Sequence, residues 1–385
     1  SFFSARNSIT FIAFSTVLNM MVHQSIDTDG KIPGSVRRNQ EKQLDTRPFM
    51  SSIEKKYRIV KYIFHIMEDN SGKTTRRADT GGREREEKQM PKKTRLDFAR
   101  MKKEGEKLTW ITAYDFPIAH FAEKEGIDMI LVGDSLGMVV YGYDGTIPVT
   151  MDECIIHCKA VRRGAPSTFV IGDMPFMSYQ ISVQDAIYNA GRFLKEAGMD
   201  AVKLEGGRRV IDRIRGIVDA GILVVGHIGL TPQSSGQLGG FKAQGRTAES
   251  AEELLKDAMA IEEAGAFALL LEAVPPELGG AITRTLDIPV YGIGAGAATD
   301  GQLLINGDML GYFEAFTPKF VKKYADLAGV IRKAFEDYIR DVRTGAFPAA
   351  EHAYNVLEEE AEAFERVVER YRKLKEEGRG DEGEA

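Results

Sequence analysis

Cysteine is almost absent from this 385-residue sequence, which holds only Cys154 and Cys158. Two thiols four positions apart build no disulfide framework, so a reducing, cytoplasmic setting is the default expectation. With His157 beside them they invite a zinc reading. A zinc site takes three or four protein ligands, however, and no second Cys/His pair stands at finger spacing. At i, i+4 on a helix, the two read better as small side chains packed into a core. Membrane-length apolar runs are missing too. Ile9–Val22 spans 14 residues, short of the roughly 20 that a crossing helix needs, so no membrane partner is expected. Clustered positive charge is lacking where it would matter. Residues 1–89 hold 16 basic and 11 acidic side chains, and the remainder holds 35 and 46, for a net charge of −6. An acidic body excludes a nucleic-acid footprint.

The basic amino-terminal stretch does not read like the rest. Glu68 to Lys88 is almost wholly polar, the composition of a disordered linker. Met90 then opens MPKKTRLDFARMKKEG in the manner of an ordinary start. The expectation is that residues 1–89 form a disordered or non-native extension outside the fold. The alternative is a targeting segment, since Arg6 precedes the Ile9–Val22 run, although no clear small-x-small cleavage site follows.

Beyond Lys107, apolar runs of strand length recur at 108–114, 128–134, 168–174, 200–206, 222–228, 267–273, 289–295 and, weakly, 307–312. Helix-length segments lie between most of them. Ser182 with Asp185 can cap one helix ending at Gly198, and Ser250 with Glu253 can open another ending before Gly265. Eight strands alternating with helices predict an α/β fold, a (β/α)8 TIM-type barrel spanning residues 90–385 with carboxy-terminal helices from about 318. These last helices are expected at 318–342 and about 349–376. An open doubly wound sheet is the alternative.

In such a barrel the active site forms at the carboxyl ends of the strands. The stretch DAVKLEGG (200–207) places Lys203 and Glu205 two residues apart, hence on one face of a strand. Other strand ends carry Asp134, Asp173, His227 and Glu272. Each alone is better read as a helix cap or loop anchor, but ionisable groups at five adjacent strand ends are harder to explain so. Carboxylates converging on one mouth repel unless a cation sits among them. Asp134, Asp173 and Glu205 are hard oxygen donors without a companion cysteine, which points to Mg²⁺. Mg²⁺ takes only one or two carboxylates directly, so one of the three is expected to act through water. A substrate chelating the remaining positions would carry two adjacent oxygens, as a 2-oxo acid does. Lys203 then pairs either with that substrate or with Glu205.

The strings TAYD (112–115), GDSLG (133–137), GDMPF (172–176), VKLEGG (202–207), GHIGLTPQ (226–233) and LLLEAVP (269–275) resemble, in order and spacing, the motifs of the ketopantoate hydroxymethyltransferase (3-methyl-2-oxobutanoate hydroxymethyltransferase) family. The resemblance runs from about Thr94 to Phe347. It implies a (β/α)8 barrel in pantothenate biosynthesis that transfers a one-carbon unit from 5,10-methylenetetrahydrofolate to 3-methyl-2-oxobutanoate. Carried over motif by motif, Asp134, Asp173 and Glu205 resemble the metal site. Asp134, Ser135, Asp173 and Lys203 resemble the substrate contacts, and Glu272 the proton acceptor. The resemblance also implies a homo-oligomer, bacterial members tending to be decamers.

His227 either lines this site or is a satisfied interior histidine. The glycines of YGIGAGAATDG (291–301) suit a phosphate-binding turn or close backbone packing. The loop 231–246 reads as a lid or as an ordered interface loop. A Mg²⁺-dependent carbon–carbon lyase or mutase of the isocitrate lyase type is the nearest rival reading. Those lyases carry a catalytic cysteine in a mobile loop, and neither cysteine here lies in the loop after strand 5. A non-catalytic barrel would be expected to have lost its strand-end charges, and none is lost.

Overall fold

The computed structural model describes residues 92–380. The expected extension, residues 1–89, lies outside them. Eight parallel strands close into a barrel in sequence order: β1 (Leu108–Thr112), β2 (Met129–Val132), β3 (Phe169–Asp173), β4 (Ala201–Glu205), β5 (Leu223–Gly229), β6 (Ala268–Glu272), β7 (Val290–Ile293) and β8 (Gly301–Leu304). The ring closes where Trp110 of β1 pairs with Leu303 of β8. Helix α1 (Arg95–Glu104) precedes β1. Its Phe98 and Met101 pack with Phe169 and Phe267, the Phe98 ring meeting Phe169 edge-on at 5.0 Å.

Alternation along the strands splits the apolar side chains between two cores. Trp110, Met129, Leu131, Ile171, Ala201, Val225, Leu270, Ile293 and Leu303 fill the barrel. Ile130, Val132, Val170, Val202, Leu204, Val224, Leu269 and Leu271 point outward. Against them lie α2 (Phe116–Lys124), the single turn α3 (Leu136–Val139), α4 (Met151–Gly164), α5 (Val183–Ala197), α6 (Ile211–Asp219), α8 (Ala248–Glu263) and α9 (Pro276–Thr285), while a second short turn, α7 (Ser235–Leu238), lies in the loop after β5 and buries none of its residues. Local signals start and stop these helices. Ser182 accepts from the Asp185 amide to open α5, and Gly198 closes it at φ 68°. For α8 the cap is Thr247 with Ser250, three residues before the expected Ser250–Glu253 pair.

The eighth strand also departs from expectation. It is Gly301–Leu304, and the run expected to form it, 307–312, is largely the short helix α10 (Asn306–Leu310), closed by Gly311 at φ 71°. β8 is only four residues long, opens on a glycine and exposes Gln302, so no apolar run of strand length marks it. Two helices follow, α11 (Leu327–Thr344) and α12 (Ala361–Gly380), each starting later than expected: the chain from 311 to 326 forms no regular element, and that from 345 to 360 forms only two short 3₁₀ turns. No described helix is long and apolar enough to cross a membrane.

Candidate active site

The alternation that fills the barrel with apolar side chains also aims the last inward residue of each central strand into its mouth. On β4, Ala201 is inward, and so are Lys203 and Glu205, while Val202 and Leu204 face the helices. Asp173 follows Phe169 and Ile171, His227 follows Val225, and Glu272 follows Ala268 and Leu270 on the same inward parity. Strand register places Asp173 beside Lys203 and Glu205 beside His227. The five form one connected row. Lys203 Nζ lies 2.8 Å from Asp173 Oδ1 and 3.7 Å from Glu205 Oε1, and 3.2 Å from His227 Nδ1. The imidazole stands between two carboxylates, with Nδ1 3.5 Å from Glu205 and Nε2 3.3 Å from Glu272. Lys203, Glu205 and His227 are each 2% exposed, so these are charges held out of water.

Asp134, two residues past β2, joins the row through its backbone. Its amide donates to Asp173 Oδ2 at 3.0 Å. Ser135 lines the same mouth, its hydroxyl 2.8 Å from the Tyr114 hydroxyl. The predicted residues Asp134, Ser135, Asp173, Lys203, Glu205 and Glu272 therefore share one cavity, and His227 takes its place among them.

Burial raises the pKa of Asp134 far above the ordinary range, and the Asp173 and Glu205 charges push it further against Lys203. Asp173 is raised for the same first reason, with Lys203 opposing and Glu205 adding. On Glu205, Lys203 and His227 outweigh burial and the pKa falls. On Lys203, burial favours the neutral amine, but Asp173, Glu205 and Asp134 dominate and the pKa rises. Burial and the Lys203 charge push His227 down, yet its bonds to Glu205 and Glu272 carry the balance upward.

Three carboxylates crowd around one ammonium, and the raised pKa values of Asp134 and Asp173 show burial and mutual repulsion opposing their ionisation, which a divalent cation among them would relieve. Among the described residues no three His, Cys, Asp or Glu side chains converge closely enough to hold a metal by themselves. Mg²⁺ does not require that, since it keeps waters and leaves positions for substrate oxygens. The hard oxygen donors of Asp134 and Asp173 fit it.

Sequence reasoning assigned no role to Gln233, which ties the site together. The GHIGLTPQ motif contained it, but nothing in a neutral loop residue announced its task. Gln233 is 3% exposed. Its amide N–H donates to Glu205 Oε2 at 3.0 Å, and its side-chain Nε2 donates to Asp134 Oδ2 at 2.8 Å and to the Met174 carbonyl at 2.9 Å. Tyr179 Oη donates to Gln233 Oε1 at 2.7 Å and accepts from the Glu205 amide at 3.1 Å. The start of the 231–246 loop is thus an ordered part of the site.

Other signals resolve differently. Cys154 and Cys158 are fully buried on α4, and burial raises both thiol pKa values. His157 faces away from them, bonding the Tyr141 hydroxyl at 2.9 Å and the Tyr114 carbonyl at 2.5 Å. Gly294, at φ 69°, leaves room for Phe320, whose ring a Cβ would strike at 2.5 Å. Close packing at the rim therefore explains that glycine.

A closed (β/α)8 barrel with a buried acid–lysine–histidine row at its carboxyl mouth is the architecture of a TIM-barrel enzyme acting on a small molecule. Residues 92–350 match the family model described as ketopantoate hydroxymethyltransferase. The chain is 62% identical over 281 residues to a 3-methyl-2-oxobutanoate hydroxymethyltransferase of Alkaliphilus metalliredigens, covering 73% of this chain and 99% of the relative. It is 56% identical over 268 residues to that of Geobacillus kaustophilus, covering 70% and 96%. The chain belongs to the ketopantoate hydroxymethyltransferase family, and it is a one-carbon transferase. Among solved structures it is similar to phosphonopyruvate hydrolase (16% identity, TM-score 0.47, 74% of this chain and 98% of that one). It is also similar to 2,3-dimethylmalate lyase (17%, 0.45, 74% and 98%). Likeness that low carries no functional weight.

Proposed function

We propose that this barrel removes the C3 hydrogen of 3-methyl-2-oxobutanoate and joins that carbon to the one-carbon unit of 5,10-methylenetetrahydrofolate. Uptake of one water gives 2-dehydropantoate and releases tetrahydrofolate, a step of pantothenate biosynthesis. The observation that carries this reading is the row Asp173–Lys203–Glu205–His227–Glu272, in which a lysine flanked by Asp173 and Glu205 is separated by the imidazole from the carboxylate of Glu272. A Mg²⁺ ion held by Asp134 and Asp173, with Glu205 acting through water, would supply Lewis-acid polarisation of the 2-oxo oxygen. Lys203, held charged by its neighbours, favours the substrate's carboxylate and the negative charge that builds on its oxygens as C3 loses its proton. Glu272, across the imidazole from Glu205, takes the C3 proton, and His227 fixes its carboxylate through Nε2. Ser135, beside Asp134, is placed to hydrogen-bond the oxo acid.

Exchange in D₂O tests this. With Mg²⁺ and no folate, the protein should replace the C3 hydrogen of 3-methyl-2-oxobutanoate by deuterium. Glu272→Gln should slow that exchange by about 10²–10⁴-fold while oxo-acid binding persists. Exchange at the parent rate in Glu272→Gln would pass the role of base to His227.

Assembly as a homo-oligomer belongs to the same reading, a decamer being what the family resemblance implies. Helix α11 buries only Ala328 and leaves Val330, Phe335, Tyr338, Ile339 and Val342 exposed. An apolar stripe of this kind supports contact with a second copy.

A further inference from the structure

The mouth of the barrel holds one more carboxylate, which the chemistry above does not use. Asp308 lies on α10, behind β8, and lines the same cavity as Lys203 and Glu272. It is 5% exposed. Among the described residues, none hydrogen-bonds or ion-pairs with its carboxylate. Nor does it serve its own helix. As the third residue of α10 it stands where an acid can reach back to the cap amide, and the helix has no such side-chain cap. Burial raises its pKa to about 6, with the Lys323 charge opposing. The fold thus keeps a largely buried carboxylate that opens only onto the cavity and has no protein donor among the described residues.

The surroundings limit what could complete it. The oxo acid is an anion and is repelled by a second anion. Phe241, Phe313, Phe316 and Phe320 line the same mouth, and Phe241 and Phe316 stay more than half exposed. Aromatic walls beside a carboxylate with two free acceptor oxygens suit a flat heteroaromatic ring that offers two adjacent N–H donors. The pterin of a reduced folate has such an edge, its ring N3–H and 2-amino group. The cavity encloses about 140 Å³ and widens into open space at the mouth, so a pterin on this side would lie in the open rim, against the exposed phenylalanines.

We propose that Asp308 receives the N3–H and 2-amino donors of the co-substrate's pterin, with the phenylalanines packing on the ring. This rests on the folate reading above. It gives the two substrates opposite sides of one cavity: the oxo acid on the Asp134–Lys203 side, the pterin on the β8 side.

Steady-state kinetics of the full chain with Mg²⁺, varying each substrate in turn, is the test, using the parent, Asp308→Asn and Asp308→Ala. The expected result is a KM for methylenetetrahydrofolate raised roughly 10- to 100-fold, the size of a charge-assisted hydrogen bond. Calorimetric affinity for 3-methyl-2-oxobutanoate should stay at the parent value. A probe on the ligand side does not depend on how the variants fold. The parent should bind tetrahydrofolate more tightly than its 2-deamino analogue, and Asp308→Ala should bind the two alike. An unchanged co-substrate KM in both variants, or a parent indifferent to the 2-amino group, overturns the proposal. Equal loss of oxo-acid affinity overturns it too, by making Asp308 part of the other subsite. A parent that binds and exchanges the oxo acid but never uses methylenetetrahydrofolate would instead sink the folate reading itself.

Discussion

Lys203 is the residue on which the cluster depends, because it alone among the inward groups opposes three carboxylates. Its place was legible in the sequence: a lysine two residues from a glutamate in an apolar strand has to share the glutamate's face. Position at the carboxyl ends of apolar runs pointed to Asp173, His227 and Glu272. It could not find Gln233 or Tyr179, since a neutral side chain carries no burial cost that stands out in a sequence, and their roles come from a loop folding back over the strand ends. The charge imbalance gives one expectation at this scale. Calorimetric titration with Mg²⁺ should show binding lost in Asp134→Ala and Asp173→Ala and only weakened in Glu205→Ala, whose carboxylate is already engaged by Lys203, His227 and the Gln233 amide. Unchanged affinity in both aspartate variants would remove the metal site. A second expectation concerns pH. The pKa of Asp308, about 6 in the fold against 3.8 when free, means that the folded state holds this proton more tightly, so stability is lost as pH rises between the two values. Asp308→Asn should therefore melt above the parent at about pH 8, with the gap closing near pH 4. Equal melting temperatures at the higher pH would mean that Asp308 has a stabilising partner.

At the scale of elements, what the sequence reveals is set by how deeply an element is buried. β2 to β6 are covered on both faces and read as apolar runs at nearly their true positions. β8, four residues long with an exposed Gln302, lacks that run, and the assignment fell on the stretch that forms α10 instead. Glycines inside the strands had no evident purpose until the helices were in place. Gly172, next to Asp173, has the Phe193 ring of α5 against it, so close that a Cβ would sit 2.3 Å from the ring. Strand and helix approach only because that position has no side chain. Gly172→Ala should destabilise the barrel by about 1–3 kcal/mol through overpacking, seen as a lower midpoint in urea. Activity should fall more than the unfolded fraction explains, since β3 must shift and carries Asp173 with it. A variant with the parent's midpoint and kcat would mean that Phe193 turns aside at no cost.

For the whole molecule, the question is what the barrel needs from the chain before it. Lys92 pairs with Asp200 at 2.5 Å, and Lys93 pairs with Asp128 at 2.5 Å. Helix α1 then seals the floor with Phe98 and Met101. The match to the family begins at the same place, residue 92. Every group assigned to the site lies at the opposite, carboxyl end of the strands, on residues 134 to 308. The charge balance also separates the two parts, +5 before residue 90 and −11 after it, and surface charges more than about 10 Å apart are largely screened at physiological salt. A protein spanning residues 90–385 should accordingly match the full chain in kcat, in both KM values and in thermal midpoint. The measurement is a side-by-side comparison of the two purified proteins with 3-methyl-2-oxobutanoate, methylenetetrahydrofolate and Mg²⁺. A large drop in midpoint would show that residues 1–89 contribute to the fold. A drop in kcat at unchanged midpoint would instead place them at the mouth of the barrel, in contact with substrate.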